Sequence, residues 1–406
     1  MKIGKLEVSQ WVAFVANAMK AVSGRWQTRK PKEKKSLVIC VAVILLGVLC
    51  LFLNHDSSAS DNQYIYHVVN GEAVLGPGAI PQSTRGKVEI PSSIDGYRVT
   101  SIGEGAFFFC TNLTAVTIPK SVKDIGKMAF YGCWNLSEVD MPKGVTSIGE
   151  QAFVNCSKLT SLKIPKSVND VGKMAFYGCS RLSEIDIPGS VTNIGEMAFG
   201  KCESLNSVEM PESVRMIGDK AFFWCTNLVS VKMPSRLSRI GEGVFKKCRN
   251  LKSVTMPEQM KRIVPFMFYG CEKLTSVTIP DSVESICESA FESCTRLEEV
   301  TIPEKVGVIE PRAFLSCMNL EEVKFMGKPP RFCWDPGFPF DAQGYYLPSH
   351  GAQWKAALDR EGTWHGLPMK AESVSSFWFW IVLIVLGIVF ECVKKDKDNE
   401  DKNAKE

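Results

Sequence analysis

Apolar residues recur every 23 positions along the middle of this chain, and the polar residues between them keep the same register. Cys110, Cys133, Cys156, Cys179, Cys202, Cys225, Cys248, Cys271, Cys294 and Cys317 mark the period. A phenylalanine stands three residues before each, from Phe107 to Phe314, and a leucine three after, from Leu113 to Leu320. Ten copies in one register identify a tandem array of one supersecondary unit. Within a period the apolar spacing changes. Ile125, Ala129, Phe130, Cys133 and Leu136 have the spacing of a helical face, which predicts a compact helical return. Leu136, Val139 and Met141 then step toward a spacing of two, which predicts a short half-buried strand. A proline closes it, as at Pro119, Pro142 and Pro165, because proline has no N–H to give to a ladder.

One such rung cannot stand alone. Its inward side chains gain about 1.5–3 kcal/mol each on burial, and ordering the chain costs on the order of 1.5 kcal/mol per residue. Stacked rungs cover one another's open faces and pair their strands at about 4.8 Å. The sequence therefore predicts an α/β solenoid of ten 23-residue repeats over residues 102–326, each a short strand with a helical or 3-10 return.

The unit I-G-x-x-A-F-x-x-C-x-x-L-x-x-V-x-I-P-x-S-V, as in residues 125–145 and 194–214, resembles the BspA-type leucine-rich repeat found in many bacterial surface proteins. The resemblance extends to the flanks. Residues 86–102 resemble an entry segment; Lys328-Pro-Pro, Tyr345-Tyr-Leu-Pro and Trp354-Lys-Ala-Ala resemble a closing segment. It implies a right-handed leucine-rich-repeat array with an N-terminal cap over residues 64–101 and a C-terminal cap over 327–373; the array and the lack of a catalytic set predict a non-catalytic binding scaffold or adhesin at the cell envelope. Later rungs depart from the pattern, since the glycine after the first isoleucine becomes Val264, Cys287 and Glu310. Their turns are expected to differ in shape.

Charge refines the picture. The formal net charge is +4, yet residues 1–36 hold nine Lys/Arg against two acids, and the body between the apolar flanks is close to neutral. That balance argues against a nucleic-acid partner, which needs a basic face. Residues 37–53 and 374–390 are two uncharged apolar stretches of 17, each beside lysines. Such lengths and flanks predict two transmembrane helices, at 37–53 and 374–393. A linker at 54–63, a basic cytoplasmic segment at 1–36 and a charged cytoplasmic tail at 394–406 complete the layout. The repeats are then extracytoplasmic and the membrane is a partner. A cleaved signal peptide with Ser58-Ala59-Ser60 as its site stays open for the first stretch. The spacing of Trp11, Phe14, Val15, Ala18 and Val22 fits either a helix on the inner membrane face or an unordered tail.

Cysteines in an exported chain usually signal disulfides. Here their place between Phe and Leu predicts small buried hydrophobes, and parallel side chains on neighbouring rungs suit a bridge poorly. A column also disperses ligands along an axis, so no metal site is expected. Cys287 and Cys333 lie off the column, and their redox state stays open. No nucleophile motif or phosphate loop is present, and no cofactor is implied. His350, His365, Asp341 and Asp359 share the closing segment and could be a metal or acid–base set, or polar loop residues of a cap.

The residues that vary from rung to rung are the guide to function. Strand residues on either side of the middle apolar one face outward. Glu138, Asp140, Glu184, Asp186 and Glu209 thereby gather around Lys163, whereas later rungs offer serine and threonine. This acidic early half is the candidate face for a protein or surface-polymer ligand. A row of solvated strand residues has the same appearance. The aromatics Phe108, Phe109, Tyr131, Trp134, Tyr177, Phe223, Trp224 and Tyr269 flank the cysteines and form either rung packing or a second stripe. The same layout also suits a receptor that passes binding to its cytoplasmic ends.

Overall fold

The computed structural model describes residues 64–332 and 335–372. Both apolar stretches, the segment Trp11–Val22 and Cys333 lie outside the described residues. The described chain is a β-solenoid of about thirteen turns. Most turns carry two strands, the long-ladder place at residues 276–278 being an exception. One belongs to a long ladder of three- to five-residue strands such as Glu138–Asp140, Ser161–Lys163 and Glu184–Asp186. The other belongs to a short ladder of two-residue strands such as Asp124–Ile125, Ser147–Ile148 and Asp170–Val171. Within both ladders neighbours pair in parallel with a register shift of one period, for example Leu162 with Ile185 and Ile148 with Val171.

The expected helical return is absent, and the α/β class is corrected to β. From Gly126 to Leu136 the chain is a succession of tight turns, not a helix. Two residues of every period are left-handed, at five and one positions before the ladder cysteine. Met128 and Gly132 hold these places in one turn, Gln151 and Asn155 in the next, and Lys220 and Trp224 further on, with φ of 53–72°. A right-handed helix cannot contain them. Alternate amides close turns locally, as Cys133 N to Phe130 O at 3.3 Å. The others reach the next rung: Met128 N to Glu150 O, Phe130 N to Ala152 O and Gly132 N to Val154 O, at 2.7–2.9 Å. Every second donor therefore stitches rungs together, and this regular bonding offsets the strain of the left-handed residues.

The inward residues are those the pattern singled out. Ile125, Ala129, Phe130, Cys133 and Leu136 are all buried, because an arc of turns brings the same spacings inward as a helix would. The phenylalanines stack face to face from Phe107 to Phe314 at 4.8–6.0 Å, and Phe338 of the C-terminal cap adds one more ring at 5.0 Å. Each thiol from Cys133 to Cys317 donates to the phenylalanine carbonyl of the preceding rung, as Cys202 Sγ to Phe176 O at 3.3 Å. That carbonyl already accepts Cys179 N. Cysteine is thus the small apolar residue that can also satisfy a buried second lone pair. The ladder thiols and Cys287 are free and buried.

A glycine follows the short strand wherever neighbouring turns come closest. A Cβ on Gly149 or Gly172 would lie 2.7 Å from the backbone of the rung before. The column runs from Gly103 to Gly241 and ends at Val264. The short ladder breaks at the same step: Arg239–Ile240 does not pair with Arg262–Ile263. Of the three positions where the glycine is replaced, only the step into Val264 shows interrupted pairing; the short strands ending before Cys287 and Glu310 pair in series, Ile263 with Ile286 and Ile286 with Ile309.

Both caps continue the ladders. Gly86–Glu89 pairs with Leu113–Thr117 at one end, and Glu322–Phe325, Gln343–Tyr346 and Leu367–Ala371 pair in series at the other. Trp354 closes the C-terminal end, fully buried, with its Nε1 donating to Gly327 O at 3.0 Å. It sits on the short helix Gly351–Ala357, which a 3-10 turn at Pro348–His350 precedes. Among the described residues no helix is long and apolar enough to cross a membrane, so the structure supplies no transmembrane helix to match the two that were expected.

Candidate binding surface on the strand face

The long ladder fixes where each candidate residue stands. Its middle residues turn inward against the leucines, and those on either side face water. Glu138, Asp140, Lys163, Glu184, Asp186 and Glu209 are all exposed on this face. Pairing sets the neighbours: Lys163 lies beside Asp186 and Ser161 beside Glu184. Glu138 and Asp140 lie beside Ala115 and Thr117, and Glu209 beside Lys232.

Lys87, one rung beyond, completes the N-terminal end of the face. It pairs with Glu89 at 2.9 Å. That hydrogen bond and the fields of Glu89, Glu138 and Asp140 hold its ammonium above the usual lysine range against a slight desolvation.

The face is not continuous. Glu138–Asp140 does not pair with Ser161–Lys163, and the ladder is interrupted again between Glu184–Asp186 and Ser207–Glu209. A cavity of about 450 Å³ lies there, lined by Glu184, Ile185, Asp186, Ile187, Ser207, Glu209, Met210 and Pro211. Three acidic residues thus line one open cavity together with Ile187 and Met210, both buried. Sequence reasoning found the acids by alternation. It did not find the opening, because no residue type marks the loss of a hydrogen-bonded step between equal-length rungs.

Residues 86–206 and 215–330, more than half of the chain, match the BspA type leucine rich repeat region in six copies. The chain belongs to this family. Among solved structures it is similar to a T. pallidum leucine rich repeat protein, at 30% identity over 48% of this chain and 91% of that one, with a TM-score of 0.43. It is also similar to a leucine rich cell surface protein from Faecalibacterium prausnitzii, at 25% identity over 80% and 97%, with a TM-score of 0.48. A third is the pneumococcal vaccine antigen PcpA, at 19% identity over 78% and 99%, with a TM-score of 0.46. No curated protein matches the chain.

In this BspA-type repeat protein the closing segment is built as a cap. Asp359 accepts hydrogen bonds from Thr363 Oγ1, Thr363 N and Glu361 N, and these hold its carboxyl below the usual range. Its lone pairs are spent on a turn. The aromatic stripe is split between packing and surface. Phe108 is buried against Phe109 and Tyr131, whereas Trp134 is half exposed. On later rungs the rings carry cations: Arg249 over Trp224 at 5.4 Å, Lys246 over Phe266 at 4.5 Å, and Lys247 over Tyr269 at 4.8 Å. Aligning rungs by the residue before each cysteine brings Trp224 and Lys247 into one column but leaves Arg249, Lys246, Phe266 and Tyr269 at other positions.

Proposed function

We propose that this BspA-type protein is a non-catalytic binding scaffold at the cell envelope, and that its ligand is a protein presenting basic side chains to the early strand face. The observation that carries the reading is the cavity between two rungs, whose lining includes Glu184, Asp186 and Glu209 beside Ile187 and Met210. A repeat core held constant from rung to rung, under a face that changes from rung to rung, is how solenoids separate stability from recognition. The absence of a nucleophile or phosphate-loop motif in the sequence supports binding over chemistry.

We propose further that the repeats lie outside the cytoplasm, held at a membrane by the apolar flanks, with both termini on the cytoplasmic side. The lysines beside both apolar stretches support this. Protease added to intact cells should then cleave a tag placed in the repeats and spare tags at both ends; cleavage of the end tags contradicts the topology.

The face is tested with the full chain. Charge reversal at Glu184, Asp186 and Glu209 together is expected to weaken capture of its envelope ligand at least about tenfold, since rim charges govern encounter and charged contacts contribute about 1.5–3 kcal/mol each. Unchanged capture removes this face as the site.

A further inference from the structure

Lys201, Trp224 and Lys247 occupy the same left-handed position on three successive rungs, with φ of 58°, 62° and 65°. Identical backbone geometry aims the three side chains from one column. Their amides fix it, donating to Phe223 O, Lys246 O and Tyr269 O at 2.7–2.8 Å. The result is a lysine, a tryptophan and a second lysine rooted in a row, the two lysine backbones two rungs apart, roughly 9.6 Å, with the ammoniums turned outward to Tyr177 and Tyr269.

The cations rest on rings rather than on acids. Lys201 lies over Tyr177 at 5.6 Å and Lys247 over Tyr269 at 4.8 Å. Lys246, alongside, lies 4.3 Å from Tyr269 and 4.5 Å from Phe266. Partial burial, with Lys220 and Lys247 close by, lowers its pKa against the opposing field of Glu292. An ammonium on an aromatic face keeps its charge without a carboxylate, so an arriving anion gains a cation that no internal ion pair has to surrender. When the lysine swings to the anion, the ring face it leaves becomes free for an apolar surface.

We propose that the Lys201–Trp224–Lys247 column is a binding site for a linear acidic polysaccharide whose carboxylate, sulfate or phosphate groups recur on every second sugar. A pyranose presents C–H groups on one face, which suits Trp224 when it displaces Arg249, which lies 5.4 Å over that ring and pairs with Glu272 at 3.3 Å; its charged neighbours then fall toward Lys201 and Lys247. Two rungs span about the length of a disaccharide. An extended acidic peptide fits worse, because side chains on one face of a strand recur at about 6.8 Å. Nucleic acid fits worse still, because the repeat body is near neutral and lacks a basic track. This face lies off the long ladder, and the inference does not depend on the acidic cavity.

The test measures retention of the full chain on immobilised hyaluronan, a uronic acid polymer charged on alternate sugars, beside neutral dextran and poly-glutamate. The wild type is expected to bind hyaluronan and to pass both controls. Lys201→Asn with Lys247→Asn should lower the affinity at least about tenfold, the loss of two charge-assisted contacts. Trp224→Asn should lower it too. Asparagine accepts the left-handed conformation and already stands in this column at Asn155, and an unchanged melting temperature verifies folding. Glu184→Lys with Asp186→Lys should leave hyaluronan retention intact, so failure of the strand-face reading is told apart from failure of this one. No retention on hyaluronan overturns the proposal. Equal retention on poly-glutamate, or retention insensitive to Trp224, overturns it as well by reducing the effect to general polyanion attraction.

Discussion

Each ladder cysteine does two things that other small residues do singly: it fills an apolar slot and donates to a carbonyl. Cys202→Ala removes the sulfur and leaves the second lone pair of Phe176 O unmet. A cost of about 1–3 kcal/mol is expected in urea unfolding. Burial also pushes the thiol pKa values up, to about 12 for Cys179 and Cys248 against 9.0 for a free thiol. Folded thiols therefore keep protons that the unfolded chain releases, and the stability they contribute is present below pH 9 and is lost as pH rises toward 12. The slope approaches about 1.4 kcal/mol per pH unit for each thiol. Urea midpoints should fall steeply above pH 9, and a flat profile there contradicts burial of the column. Glycine allows an equally local test. Gly172→Ala places a Cβ 2.7 Å from Gly149 backbone, whereas Gly189→Ala meets nothing within 4 Å. The first should cost about 3 kcal/mol or more and the second well under 1 kcal/mol in thermal unfolding.

At the scale of the element, periodicity showed which residues face inward but not the backbone that turns them there. Ile125, Ala129, Phe130, Cys133 and Leu136 are buried as their spacing requires, yet both a helix and an arc of turns satisfy that spacing. The information that separates them lies in Met128, Gln151 and Lys220, side chains that do not advertise a positive φ as glycine would. The glycines at 132, 178 and 270, one position before a cysteine, are the trace of it in the sequence. The second, two-residue strand was hidden for a related reason: it is too short to alternate. On the strand face the exposed acids were legible because alternation is rigid, whereas the open step beside Glu184 was not. Since rungs are equivalent units, removal of one whole period, such as residues 161–183, should leave a cooperative fold with fewer turns. Removal of half a period should abolish it, because every inter-rung hydrogen bond would then meet the wrong partner. Circular dichroism with thermal unfolding distinguishes the two deletions.

For the molecule as a whole, stability resides in columns that run its length and recognition in what those columns carry outward. The phenylalanine stack and the thiol column are continuous across neighbouring rungs, and the two ladders join most of them, so the repeats protect one another and none protects itself. Exposed charges on the strand face and cations on the aromatic column can vary at little cost to this core. Thiol labelling followed by mass spectrometry along a denaturant series tests the core most directly. The ladder cysteines should resist a small thiol reagent under native conditions and become labelled together in one cooperative step. Rapid native labelling of several of them would contradict the solenoid described above.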